Sequence, residues 1–191
     1  MKITRDDEHR YWVDGKEKPS VHAILEAAGI TDVSQVLEYY LTRGTHVHQI
    51  TELVDEDDLD YDGLDPALKP FTDAYLSFID ALKPVYLASE QFVYHPIDEY
   101  CGQLDRVAMI SDVCMVVDFK SGDKPAWWTP IQLVAYLDAL PAEVGNPKQM
   151  RAVSLKGDGT WEISKPYNIT KARKAWRSCL NVYKLQQRKK V

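Results

Sequence analysis

The chain lacks the features of membrane-spanning and disulfide-rich proteins. No apolar run approaches the roughly 20 residues that span a bilayer, and the N-terminal segment has no apolar signal core. Cysteine is scarce, because Cys101, Cys114 and Cys179 are widely spaced and form no CxxC pair, so neither a disulfide framework nor a zinc or iron–sulfur site is indicated. We therefore expect a cytoplasmic protein whose 191 residues form one domain over 1–191.

Charge is unevenly distributed along the chain, although the net value is only −6. Residues 52–65 hold eight acids, and we expect a loop over about 55–65. An acidic balance argues mildly against non-specific binding to nucleic acid. The local distribution is therefore more informative than the sum.

The C-terminal segment has the opposite charge. Residues 171–191 hold eight bases and no acid, within a helix predicted over about 169–190. A basic helix can follow phosphates even in an acidic protein, and Lys184, Arg188 and Lys189 are expected on its polar face. An ordinary solvated helix face is an equal alternative.

Asp118-Phe119-Lys120 is the segment with the most informative chemistry. It ends the apolar, β-branched run 113–117, which is typical of a buried strand. Two charges at the tip of such a strand are costly unless they are paired or bind something. Because side chains alternate along a strand, Asp118 and Lys120 share one face and Phe119 lies on the other. An acid and an ammonium placed in this way can hold a metal ion and a nucleophilic water.

A second acid precedes this segment. Residues 102–110 are strand-like, and Ser111-Asp112 is a plausible two-residue turn. With that turn, Asp105 falls opposite Asp118, with Cβ atoms roughly 5 Å apart. Two carboxylates so close repel each other, and a divalent ion with oxygen ligands removes the repulsion. A slip of one residue would instead move Asp105 to the other face.

Two further polar residues, His48 and Glu90, are candidate site residues only if other functional side chains lie near them. We expect two short helices, over 34–41 and about 46–54, and His48 lies in the second beside an apolar stripe. A histidine at such a boundary more often makes an ordinary polar contact than binds a metal. Glu90 lies in a strand predicted over 85–94, where a lone glutamate usually faces solvent.

The helix predicted from Thr129 to Leu140 carries a polar pair. Gln132 and Tyr136 are one turn apart on an otherwise apolar surface. Thr129-x-x-Gln132 equally fits a capping box, and Tyr136 equally fits a core residue with a satisfied hydroxyl. The spacing alone does not decide between these readings.

Taken in order, these residues resemble the motifs of the RecB-like branch of the PD-(D/E)xK nuclease superfamily, including its small phage-encoded exonucleases. The series reads Gly44-Thr45-x-x-His48, Glu90, Gly102-x-x-Asp105, Asp118-x-Lys120 and Gln132-x-x-x-Tyr136. The resemblance covers most of the chain. It implies an α/β fold with a restriction-endonuclease-like core, in which a mixed central β-sheet is flanked by helices. A related branch carries four cysteines for an iron–sulfur cluster, which this chain cannot supply, so no such cluster is expected.

The resemblance also implies a metal site. Its ligands would be His48, Asp105, Asp118 and the backbone carbonyl of Phe119, with Glu90 supporting the ion directly or through water. Mg²⁺ prefers oxygen ligands, whereas the imidazole favours Mn²⁺, so activity is expected with both.

The remaining matched residues acquire roles in the same way. Lys120 would orient or activate the attacking water, and Gln132 and Tyr136 would help to hold DNA and the catalytic lysine. The resemblance also implies that phosphodiester cleavage would leave 5′-phosphates. The enzyme would act in phage DNA recombination, repair or processing inside a bacterial host cell. Besides DNA, a single-strand annealing or single-strand-binding protein and further copies of the chain are candidate partners.

Two other functions stay open. One is a catalytically inactive DNA-binding protein on the same fold, and the other is an acidic interaction module in which residues 52–65 dock a basic partner. Metal-dependent degradation of labelled DNA distinguishes the nuclease from both.

Overall fold

The computed structural model describes residues 1–6, 8–31 and 38–188. The strands within them are β1 Ile3–Arg5, β2 Tyr11–Val13, β3 Lys16–Lys18, β4 Val85–His95, β5 Tyr100–Ile110, β6 Val113–Ser121, β7 Gln149–Leu155 and β8 Trp161–Ile163. The helices are α1 Val21–Ala27, α2 Glu38–Asp55, α3 Lys69–Leu82, α4 Thr129–Ala139 and α5 Ile169–Arg188, with a 3₁₀ turn over Ala142–Val144. Among these helices, none combines the length and the apolar character needed to cross a membrane.

A five-stranded sheet in the order β4-β5-β6-β7-β8 forms the centre of the fold. Its strands pair antiparallel except for β6 and β7, which are parallel. Val116 packs with α1, α4 and α5 on one face, and the next residue, Val117, packs with α2 and α3 on the other. The expected fold class, an α/β fold with a mixed central sheet flanked by helices, is confirmed.

A small antiparallel ribbon formed by β1, β2 and β3 lies against one side of this sheet. Its β2–β3 hairpin turns at Asp14-Gly15. Tyr11 and Val13 of the ribbon share a small core with Cys101 of β5, and the ring of Tyr11 meets that of Phe92 at 6.0 Å. The ribbon thereby becomes a wall beside β4 and β5.

The helix that carries His48 is longer than expected. The two short helices predicted on either side of Gly44 are wrong, because α2 runs through this glycine without interruption. The start of the first predicted helix falls in 32–37, outside the described residues. A glycine inside a helix costs about 1 kcal/mol, which burial of Val47 and Ile50 offsets. His48 therefore lies in the middle of a long helix.

The acidic segment contains turns and bends between Glu56 and Leu68, and no helix or strand. Asp65-Pro66 has the sequence pattern of an N-cap and a first helical residue, but this prediction is wrong, since α3 begins at Lys69. The carboxylate of Asp65 accepts the amide hydrogen of Ala67 at 2.9 Å and closes a turn instead.

Candidate metal centre and cleft

The hairpin of β5 and β6 has the register expected from its turn. Ser111 and Asp112 both have left-handed φ angles, of 49° and 63°, as a type I′ turn requires. Five Cα pairs follow, and the last is Arg106–Val117. The carboxylates of interest come immediately after this last pair.

At Asp105 and Asp118 the two strands diverge. β5 continues beside β4, and β6 continues beside β7. The main-chain N–H of Phe119 donates to Oδ2 of Asp105 at 2.7 Å. The Asp105 carboxylate thus accepts the hydrogen bond that a main-chain carbonyl would accept if the pairing continued. It joins β5 and β6 at the point where they separate, which we call the fork.

Three side chains from three elements converge at this fork. His48 Nδ1 lies 3.7 Å from Asp105 Oδ2 and 3.9 Å from Glu90 Oε1. Their ligand atoms all lie within 4.8 Å of one another. The side chains of His48, Glu90 and Asp105 are 31%, 18% and 11% exposed, so the cluster is shielded yet accessible. Glu90 has a left-handed φ of 46°, an irregularity of the kind that redirects a side chain within a strand.

The charges of this cluster are not balanced by the protein. Glu90 Oε1 accepts from the guanidinium of Arg106 at 2.9 Å, and the same guanidinium binds Asp55. Two carboxylates, those of Asp55 and Glu90, share this guanidinium, and the carboxylate of Asp105 lies beside His48 instead. Together the three carboxylates and one guanidinium carry a net charge of −2 when all are ionised. Burial and the nearby Asp105 raise the pKa of Glu90 to about 7. A divalent ion with carboxylate and imidazole ligands fits this deficit.

Asp118 lies apart from the three-residue cluster. It is 2% exposed, and Lys120 Nζ donates to its Oδ1 at 3.0 Å while lying 2.9 Å from Oδ2. Burial raises the pKa of Asp118 to about 6, although Lys120 opposes this rise and Asp105 adds to it. Burial lowers the pKa of Lys120, but Asp118 and Asp105 outweigh it and leave the pKa raised. Lys120 is thus protonated, and its ammonium group is the cation that neutralises Asp118.

The ring of Phe119 packs on the face of the sheet that α3 covers. Its ring lies 5.2 Å from that of Tyr75 and 5.5 Å from that of Phe78, in the core formed with α3. Phe119 is also among the residues that line the cleft. The alternation predicted for residues 118–120 is therefore observed.

Gln132 and Tyr136 form a hydrogen-bonded pair on α4. Gln132 Nε2 donates to the Tyr136 hydroxyl at 2.9 Å. The capping-box alternative is wrong, because the N-cap is Trp128 without a side-chain bond and Thr129 Oγ1 has no partner among the described residues. Gly102 makes room for the ring, since a Cβ there would lie 2.4 Å from Tyr136 Cε1. Burial raises the pKa of Tyr136 and keeps its hydroxyl protonated.

The cluster opens into a cleft of about 640 Å³. Its walls are the N-terminal ribbon, α2, the parts of β4 and β5 around the cluster, the segment between β6 and α4, and Tyr136 of α4. Basic and aromatic side chains line these walls, among them Arg5, His9, Tyr40, Lys120, Lys124 and Trp128. Cationic groups attract phosphates, and aromatic faces stack on bases.

The predicted DNA contacts on α5 lie away from this cleft. Lys184 Nζ donates to Asp98 Oδ1 at 2.7 Å, and Arg177 binds the other carboxylate oxygen. Arg188 is exposed, and Lys189 falls outside the described residues. Within Ile169–Arg188, no side chain lines the cleft. α5 packs instead on α1 and α4.

Sequence reasoning did not identify Arg106 and Asp55 as part of the site. Arg106 stands directly after Asp105 in an apolar strand, and a charge in that position signals a buried partner. The partner could not be named from the pattern, because Asp55 lies 51 positions away in the chain.

No protein-family model matches the chain, and no curated protein matches its sequence. Among solved structures, it is similar to the alkaline exonuclease LHK-Exo from Laribacter hongkongensis, at 13% identity and a TM-score of 0.35, over 90% of this chain and 92% of that one. It is also similar to LHK-Exo in complex with dAMP, at 13% identity and a TM-score of 0.34, with the same coverage of both chains.

Proposed function

We propose that this chain is a single-domain, divalent-metal-dependent deoxyribonuclease of the RecB-like branch, acting as an exonuclease in phage DNA processing. The observation that carries the proposal is the His48–Glu90–Asp105 cluster, whose ligand atoms lie within 4.8 Å of one another. Its uncompensated negative charge lies beside the Asp118–Lys120 pair at the base of a cleft with basic and aromatic walls. Together these groups provide for a metal ion, a water and an anionic polymer.

The proposed reaction is hydrolysis of a phosphodiester. The oxygen of a water bonds to phosphorus, the bond from phosphorus to the 3′ oxygen breaks, and that oxygen takes up a proton. The products are a 3′-hydroxyl and a 5′-phosphate. His48, Glu90 and Asp105 would hold a divalent ion, which would supply positive charge at the phosphate and make a nearby water more acidic.

Lys120 positions the reactants in this scheme. With its pKa raised by Asp118 and Asp105, it is an ammonium, which donates hydrogen bonds and does not accept a proton. It can therefore orient the attacking water or a phosphate oxygen, while Asp118 holds it in place. Asp118 Oδ2 accepts no hydrogen bond among the described residues, so Asp118 can also serve as a ligand while its Oδ1 accepts from Lys120.

The test is digestion of end-labelled linear DNA and of circular DNA with Mg²⁺, with Mn²⁺ and with EDTA. We expect loss of label from linear DNA with either ion, intact circles, no reaction in EDTA, and products that carry 5′-phosphates. Asp105→Asn, purified in parallel, controls for contaminating nucleases and should be inactive. A folded protein that binds Mn²⁺ but leaves both substrates intact would contradict the proposal.

A further inference from the structure

Arg106 is fully buried, and its guanidinium is bound on three sides. Nε donates to Asp55 Oδ2 at 2.9 Å, and one terminal nitrogen donates to Glu90 Oε1 at 2.9 Å. The other terminal nitrogen donates to Thr51 Oγ1 at 3.3 Å. The guanidinium also lies over the ring of Tyr86, 5.5 Å from its centroid. A side chain held in this way has one orientation, which it imposes on Glu90.

α2 supplies both the imidazole of the cluster and the groups that orient Arg106. His48, Thr51 and Asp55 follow one another at intervals of three and four residues, so they share a helix face. Asp55 is itself held by the hydroxyl of Tyr75, which donates to its other carboxylate oxygen. One helix face thus fixes His48 directly and Glu90 through Arg106.

The second oxygen of Glu90 is fixed from the cleft side. Gln103 Nε2 donates to Glu90 Oε2 at 2.9 Å. Gln103 is held in turn by Arg5 of the N-terminal ribbon, which donates to its Oε1 at 2.5 Å. Because a carboxylate oxygen accepts at more than one site, Glu90 keeps lone pairs for a cation.

Asp55 also decides how much charge Glu90 retains. A guanidinium bound to Glu90 alone would neutralise it and oppose a metal ion. Asp55 takes the other edge of the same guanidinium at 2.9 Å, so the positive charge is divided between two carboxylates. Glu90 is oriented by Arg106 without being fully neutralised by it.

We propose that Arg106 is a positioning residue for the metal centre, and that Asp55 sets its orientation and shares its charge. Neither residue touches the ion. The inference rests on the proposed function only in taking the His48–Glu90–Asp105 cluster to bind a divalent cation. Partners that orient ligands typically change metal affinity by about 10-fold to 100-fold when they are altered.

The experiment is calorimetric titration of Mn²⁺ alone into the whole chain, with folding checked by circular dichroism. We expect Asp55→Asn and Arg106→Lys each to raise the Kd for Mn²⁺ about tenfold or more. Lysine keeps the positive charge but lacks the rigid planar fork that binds Asp55, Glu90 and Thr51 in one orientation. Asp138→Asn is the matched control, because it alters another carboxylate–guanidinium pair, with Arg173, away from the cleft. It should leave the Kd within about twofold of the parent.

The proposal is overturned if both variants melt at lower temperature yet bind Mn²⁺ like the parent, since Arg106 would then be only structural. If Arg106→Lys does not fold, Asp55→Asn decides, because asparagine keeps the shape and one acceptor. A parent that does not bind Mn²⁺ also overturns it. A parent that binds Mn²⁺ without cleaving DNA refutes the proposed function, and the response of Asp55→Asn still decides this inference.

Discussion

Two carboxylate clusters in this fold are built in opposite ways. Burial alone would raise the pKa of Asp98, but hydrogen bonds from Lys184 and Arg177 outweigh it and lower the pKa. Glu90 shares a single guanidinium with another acid and faces Asp105, so its pKa rises to about 7. A carboxylate that is paired with two cations, as Asp98 is, stabilises the folded state through those ion pairs. A carboxylate short of cations retains the capacity to bind one, at a cost in stability.

Removing Lys120, which lies beside the metal cluster, and Arg177, which binds Asp98, should give the largest contrast. Lys120→Ala should lower kcat for labelled DNA by about 10²–10³-fold, because a charged donor that orients the water or a phosphate oxygen is lost. Arg177→Ala, at the Asp98 cluster, should leave kcat unchanged. Mn²⁺ titration completes the test, since Lys120→Ala should still bind the ion. Loss of Mn²⁺ binding in that variant would show that Lys120 contributes to the metal site and does not only orient the water.

Neutralising each carboxylate should change the free energy of unfolding in different directions. Asp98→Asn should cost about 1–3 kcal/mol, because one charged donor loses its acceptor and both donors lose the opposite charge. Glu90→Gln, measured without metal at pH 8, should be neutral or stabilising, because it removes a buried charge that the protein does not balance. Urea unfolding in EDTA measures both. A larger loss for Glu90→Gln than for Asp98→Asn would invalidate the comparison.

The free energy of unfolding should depend on pH with opposite sign for Glu90 and for Asp98. The pKa of Glu90 is about 7 in the folded chain against an ordinary 4.5, so the folded state binds this proton more tightly. Stability without metal should therefore fall as pH rises from about 4.5 to about 7, and Asp118, raised to about 6, acts in the same direction. Asp98 has the opposite sign, since its contribution is present above the ordinary 3.8 and is lost as pH falls.

Urea unfolding in EDTA across pH 5 to 8 tests this expectation, with Glu90→Gln as the matched variant. The variant should lose part of the pH dependence. Mn²⁺ affinity of the parent should increase over the same window, because protons and the ion compete for the same carboxylates. Identical pH profiles for the parent and Glu90→Gln would contradict the assigned pKa.

The smallest effect is expected on α5. Arg188→Glu with Lys189→Glu should raise KM for DNA modestly and flatten its salt dependence, because phosphate contacts release counterions. Lys184 is best left unchanged, since its reversal would put a second carboxylate beside Asp98. Initial rates over a range of salt concentrations measure the effect. Parental rates at every concentration would identify the helix as a solvated face.

The parts of the site that depend on local pattern were predictable from sequence. A two-residue turn fixed the hairpin register, and alternation placed Phe119 opposite its two charged neighbours. The relations that depend on tertiary packing were not predictable. Arg106 finds Asp55 across 51 positions, and Lys184 finds Asp98 across 86. No periodicity connects residues so far apart, so charge balance within each cluster became visible only in the folded chain.

The fork between β5 and β6 has a practical consequence for trapping a substrate complex. Truncating Asp105 would remove a proposed ligand and also strip the Phe119 amide of its acceptor, so inactivation and loosening of the sheet would come together. Lys120 carries no such main-chain duty, because its described partner is the carboxylate of Asp118. Lys120→Gln removes the ammonium and keeps a donor for the buried carboxylate of Asp118, so an inert but intact protein for capturing bound DNA is best engineered by this change.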